Sequence, residues 1–295
     1  MSVDKTGDLT ATRVHHPEAV AAAAAARRPA ASPLGGGDRG RAMIIAADHP
    51  ARGANAVGGD AHAMADRGLL LERLCLALER PGVTGVLATA DILEDLLLLG
   101  VLDGKSVFGS MNRGGLAGSA FEIDDRFTGY DAETIEAMGF DGGKMLTRIA
   151  LDDPATAATL ESSARAVDAL ADRRLIAMVE PFLSRWQDGR VRNDLSPDAV
   201  VTSVSIASGL GRRSAYTWLK LPVVPEMERV VAATTLPVLL LGGDAGGAES
   251  QRAVFDAWRG ALRLPGVQGL VVGRSLLYPA DGDVSGAVDR AVSLL

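Results

Sequence analysis

One cysteine, Cys75, stands in a chain of 295 residues, so an internal disulfide is impossible and no thiolate pair exists for a structural zinc. Histidine is almost as scarce. Of the four, His15 and His16 fall in the amino-terminal tail, and His49 and His62 alone cannot build a zinc site of three histidines; no metal and no other cofactor is expected. No apolar run reaches the roughly 18 residues of a spanning helix, because Glu72, Arg73, Glu94 and Asp95 interrupt the richest stretches. No membrane partner is expected. Lysine and arginine number 30 against 37 acidic residues, a net charge of −7, which repels a phosphate backbone and argues against nucleic acid. The amino terminus carries Asp4 and Asp8 where a signal peptide would be basic and then apolar. With the lone thiol, this points to a reduced, cytoplasmic setting. Walker loops, HExxH and the GxSxG nucleophile elbow are also missing.

What is present is enough apolar material for a full core, 47% hydrophobic against 23% charged. From Arg41 onward, short apolar runs alternate with stretches of helical period, the pattern of βαβ units around a parallel sheet. Strands are expected at Ala42–Ala47, Gly85–Ala88, Ser106–Ser110, Gly143–Arg148, Leu175–Val179, Thr217–Leu221, Val238–Leu241 and Gly269–Val272. Eight is the number that closes a barrel. Helices are expected at Ala61–Glu79, Ala132–Met138, Pro154–Asp172, Pro197–Gly209, Pro225–Ala233, Glu249–Leu262 and Val284–Leu294. A doubly wound open sheet shares this alternation, but it needs a Gly-rich turn after the first strand, where this chain has Asp48, His49 and Pro50. The expected fold is therefore a single α/β domain, a (β/α)8 barrel over residues 41–295. Residues 1–40 form an Ala-rich extension with a short helix over Glu18–Arg28, broken by Gly35, Gly36 and Gly37 and expected to cap the barrel bottom.

Barrel chemistry sits at the carboxyl ends of the strands. Those positions and the loops after them hold Asp48, Asn112, Arg113, Glu180, Gly242, Gly243, Gly273 and Arg274, with Lys144 within the fourth strand and Lys220 within the sixth. Lys220 lies among bulky apolar neighbours in Tyr-Thr-Trp-Leu-Lys-Leu-Pro-Val; desolvation and a second cation, for which Lys144 is the candidate, lower an amine's pKa toward that of a Schiff-base nucleophile. The competing reading is a lysine that snorkels from a strand end or is paired structurally. Asp48 and Glu180 can move protons for imine chemistry or simply neutralise the lysines. Glycines ending the seventh and eighth strands let backbone amides approach an anion, with Arg274 adding charge. His49 either lines the pocket or is structural.

Ile-Ala-Ala-Asp-His-Pro at the first strand, Lys144, Val-Glu-Pro-Phe, Trp-Leu-Lys-Leu-Pro, Leu-Leu-Gly-Gly and Val-Gly-Arg-Ser together resemble the class I aldolases of the deoxyribose-phosphate aldolase superfamily. That group includes tagatose-1,6-bisphosphate, sulfofructose-phosphate and archaeal-type fructose-bisphosphate aldolases, and an actinobacterial-type branch is the nearest likeness. The resemblance implies metal-independent cleavage through an imine on Lys220, with Asp48, Lys144 and Glu180 as acid, base and electrostatic partners. It also implies a phosphorylated ketose or keto sugar acid as substrate, dihydroxyacetone phosphate and an aldehyde as products, and a homo-oligomer. Gly242, Gly243, Gly273 and Arg274 would hold the phosphate, with Asn112, Arg113 and His49 as further substrate contacts. Asp48-His49-Pro50 departs from the Asp-His-Gly or Asp-Gln-Arg of relatives, and Asn112-Arg113-Gly114-Gly115 matches no familiar substrate signature. Two rivals stay open: acyl transfer from a phosphorylated diketone on the same scaffold, and a sugar-phosphate-binding regulator without turnover.

Overall fold

The computed structural model describes residues 3–34, 40–243 and 248–295. Its frame is nine strands: β1 (Ala42–Ala46), β2 (Gly85–Ala88), β3 (Ser106–Ser110), β4 (Gly142–Ile149), β5 (Ile176–Gln187), β6 (Arg190–Asn193), β7 (Thr217–Leu221), β8 (Val238–Leu241) and β9 (Val267–Val272). All but β6 run parallel, in the order β4-β3-β2-β1-β9-β8-β7-β5, and a β4–β5 pairing closes the ring. This is the expected single (β/α)8 barrel.

Helices α3 (Arg67–Leu78), α4 (Ala90–Leu98), α5 (Ala132–Ala137), α6 (Ala155–Asp172), α7 (Pro197–Ser208), α8 (Met227–Ala232) and α9 (Ala248–Ala261) connect successive barrel strands, and α10 (Arg274–Leu277) and α11 (Val284–Val292) follow the last. None of the helices described is long and apolar enough to cross a membrane. Helix α3 begins six residues later than its apolar period suggests, because Asp66 caps it by accepting from Leu69 N at 2.9 Å. Helix α4 was read only as an apolar stretch.

Strand period sorts the core into two shells. Ala42, Ile44 and Ala46 of β1 point inward with Leu87, Phe108, Met178, Leu239 and Val271, while Met43, Ile45 and Ala47 face the helix ring. Continuing the inward parity by two residues reaches Asp48 on β1, Ser110 on β3 and Glu180 on β5. Lys144 stands level with Met178 in register, and Lys220 level with Leu239. An apolar plug therefore fills the lower barrel, and the charged side chains sit directly above it.

The extension holds the expected short helix, at Ala19–Ala26 within Glu18–Arg28, and a further one before it. Helices α1 (Val3–His15) and α2 (Ala19–Ala26) lie along α3 and α4 on the outer ring, and α1 was not expected at all. Arg13 pins them, donating to Glu94 Oε2 at 2.7 Å and Asp95 Oδ1 at 2.9 Å. Among the described residues of the extension, only Leu34 packs against the inner apolar cluster, as Ile176 and Trp218 also do. Gly35, Gly36 and Gly37 lie outside the described residues.

Strand β5 runs eight residues beyond its expected end, through Gln187, and turns back antiparallel as β6. The turn is Asp188-Gly189, both at positive φ, 51° and 70°, which matches the right-handed twist of a two-residue hairpin.

Candidate active site

The strand ends open into a cavity of about 330 Å³. Among the described residues, five cationic side chains line it, Arg52, Arg113, Lys144, Lys220 and Arg274, against two carboxylates, Asp48 and Glu180. A site of that balance attracts an anion.

At its floor the charges form a chain. Lys220 Nζ donates to Glu180 Oε1 at 2.7 Å. Lys144 Nζ contacts the other oxygen of Glu180 and donates to Asp48 Oδ2 at 3.2 Å. Arg113 contacts the same Asp48 oxygen through Nη2 and donates from Nε to Ser110 Oγ at 3.1 Å, and Ser110 in turn donates to Asp48 Oδ2 at 3.1 Å. Lys220 is 3% exposed and Lys144 1% exposed, which excludes the snorkelling geometry, since both amines end inside.

Burial in a low dielectric sets the ionisation tendencies. Burial pushes both lysines down; Glu180 opposes the shift at each, and Arg113 adds to it. Burial alone would raise Glu180, but the Lys144 and Lys220 ammoniums hold it below the usual carboxylate range. His49 is kept well below its ordinary value by burial and then by Arg274, Lys220 and Lys144, so it is a neutral imidazole at physiological pH.

The glycine-bearing ends of β8 and β9 meet on one wall. Gly242, Gly243, Gly273 and Arg274 all line the cavity. Gly273 is required there, because any Cβ would run into the carbonyl oxygen of Ala46. Ser275, which follows Arg274 and does not line the cavity, keeps a buried hydroxyl without a hydrogen-bond partner among the described residues.

Of two expected substrate contacts, Asn112 lies outside the cavity and Arg113 lines it. Asn112 is not in the cavity: its amide donates to the carbonyls of Asp125 and Leu146 at 3.1 and 2.6 Å, and its Oδ1 accepts from Leu146 N at 2.7 Å. It is a splint between the β3 loop and β4. Arg113 does line the cavity, but its guanidinium is tied to Asp48 and Ser110.

Other lining residues had no strand-end signal. Arg52 comes from a short 3-10 turn, Pro50–Arg52, and Asn193 and Leu195 from the β6 hairpin. The hairpin was legible in principle from Asp188-Gly189. Behind Arg113, Arg148 is 2% exposed and forks onto Asp125, Nε to Oδ2 at 2.9 Å and Nη2 to Oδ1 at 2.6 Å. Glu122 accepts from Arg148 and from Arg52, each at 3.4 Å. This network fastens the long loop after β3 to the barrel mouth.

A family model described as Cgl0159-like matches residues 40–292. The crystal structure of Cgl0159 from Corynebacterium glutamicum is 54% identical, covers 100% of this chain and 97% of that one, and has a TM-score of 0.95. A Schiff-base-forming fructose-1,6-bisphosphate aldolase and an archaeal fructose-1,6-bisphosphate aldolase are 21% and 20% identical, cover 88% of this chain and 95% and 94% of theirs, and have a TM-score of 0.63 each. That likeness is one of fold. No curated protein matches the chain.

Proposed function

The chain belongs to the Cgl0159-like family, and from that premise and its lysine–carboxylate floor we propose that it is a class I aldolase. It cleaves or forms a carbon–carbon bond in a phosphorylated ketose or keto sugar acid, with dihydroxyacetone phosphate as one product. The observation that carries the reading is Lys220, buried beside Glu180 at 2.7 Å with Lys144 bridging Glu180 and Asp48. A buried amine of lowered pKa is the nucleophile an imine requires.

Lys220 adds to the substrate carbonyl, and Glu180 shuttles the protons that expel water from the carbinolamine. Asp48 takes the proton of the hydroxyl on the carbon that departs. The electron pair of the breaking bond moves into the protonated imine and leaves an enamine, which is reprotonated at carbon and hydrolysed. Lys144 offsets the two carboxylates throughout. Gly242, Gly243, Gly273 and Arg274 hold the phosphate of the ketone half, where backbone amides and a guanidinium suit an oxyanion.

Borohydride trapping with dihydroxyacetone phosphate, followed by peptide mass spectrometry, tests the reading. A reduced adduct on Lys220, absent from Lys220→Met, supports it. An unmodified chain, or one whose Lys220→Met variant retains turnover, overturns it.

A further inference from the structure

Among the described residues, the five charged groups at the cavity floor do not balance. Asp48 and Glu180 supply two carboxylates, while Lys144, Lys220 and Arg113 supply three basic groups, and none of the five is more than 8% exposed. The neighbouring network lends no countercharge, because Arg148 and Arg52 face Asp125 and Glu122 within it. His49, its Nδ1 3.9 Å from Asp48 Oδ1, is neutral. Arg274, only partly buried, adds positive charge that also acts on Lys220. An excess buried cation is costly, and the readiest relief is loss of a proton. A guanidinium keeps its proton and an ammonium gives it up.

We propose that Arg113 is a positioning residue of this site: its permanent charge and one ammonium together neutralise Asp48 and Glu180, which leaves the second lysine as a free amine. The same guanidinium sets the carboxylate. With Nη2 on Asp48 and Nε on Ser110, whose hydroxyl donates to Asp48, a closed ring gathers three donors on Oδ2. Oδ1 is buried without a hydrogen-bond partner among the described residues, which leaves its lone pairs for a substrate hydroxyl. Burial pushes Arg113 down to about 10, so it stays charged at neutrality. The two lysines hold one proton between them: Lys144 reaches both carboxylates and Lys220 reaches Glu180, and Lys220 attacks when it is the free amine. The charge count stands without the imine reading; the use made of the free amine rests on it.

The test is competitive acetylation of the full chain with acetic anhydride from pH 6 to 11, read at the Lys220 peptide, which needs no substrate. Arg113→Met moves the midpoint for Lys220 up by about one pH unit or more, so that labelling at pH 7 falls about tenfold and recovers in alkali. Asp48→Asn removes an anion and moves the midpoint down. Ser110→Ala, which leaves the charge count unchanged, leaves it in place while lowering the cleavage rate. A merely structural Arg113 would reduce labelling or rate equally at every pH. An Arg113→Met midpoint within about 0.3 unit of the parent overturns the proposal. Should that variant not fold, an unmoved or raised midpoint in Asp48→Asn does so. Failure of borohydride trapping in the parent chain overturns the imine reading and leaves these shifts standing.

Discussion

Replacing Arg148 with methionine removes the cation from the most heavily bonded buried charge pair behind the site. Its guanidinium has both fork contacts to Asp125, a contact to Glu122 and one to the Gly115 carbonyl, in a position 2% exposed. Asp125 is fully buried, so the variant leaves a carboxylate with its backbone contacts but no countercharge. Breaking a buried pair in this way costs about 3–5 kcal/mol. At about 2–4 °C per kcal/mol for chains of this order of size, the melting temperature falls by on the order of 10 °C. Adding Asp125→Leu removes the stranded charge and restores much of the loss, because an apolar pair of similar volume replaces a buried ion pair at little cost. Urea unfolding of the parent, both single variants and the double variant measures the coupling. A loss below about 1 kcal/mol for Arg148→Met, the range of exposed ion pairs, would show that water reaches the pair and that the loop after β3 is held by something else.

Asp48→Asn retains imine formation, since Lys220 and Glu180 are untouched, but slows carbon–carbon cleavage by about 10²–10⁴-fold; rapid-quench borohydride trapping beside product formation separates the two steps. Arg274→Gln raises KM for a phosphorylated ketose by about tenfold, the scale of one charged hydrogen bond, with little change for the unphosphorylated analogue. His49 gives a stability signature. The folded state resists its protonation and the unfolded chain binds the proton near pH 6.5, so stability is full above about 6.5 and declines as the pH falls below it. His49→Phe flattens that part of the curve, and denaturant midpoints from pH 4 to 8 show whether it does.

The barrel was legible because its strands are short apolar runs whose ends coincide with polar or glycine-bearing residues. Four of them, Gly85–Ala88, Ser106–Ser110, Thr217–Leu221 and Val238–Leu241, begin and end where the run does. The far half of β5 and all of β6 were not read as strand, since Arg185, Gln187, Arg190 and Arg192 are exposed and carry no apolar alternation. Helix α1 has a polar sequence and is held by Arg13 to α4, some 80 residues away, a pairing that local period cannot reveal. At the site, Asp48 just past β1, Lys144 and Glu180 within β4 and β5, and Lys220 near the end of β7 follow from inward parity along the strands. The roles of Asn112 and Arg113 do not, because both depend on where the irregular loop after β3 folds back, and that is decided by Arg148 and Asp125, 23 positions apart.

Closing a sheet into a barrel removes its edges, yet the hairpin brings one back. Strand β6 pairs with β5 on one side and ends the strand order on the other, so its outer row of amides and carbonyls is a template on which a second chain could add. Its brevity, four residues, and the exposed Arg190 and Arg192 blunt that template, as charge on a short edge generally does. The same segment carries Asn193 to the rim of the cavity, so its sequence answers to two demands: what it offers an incoming molecule, and its resistance to self-association. Replacing both arginines with β-branched residues would leave the cavity intact and turn its rim into a seed for aggregation.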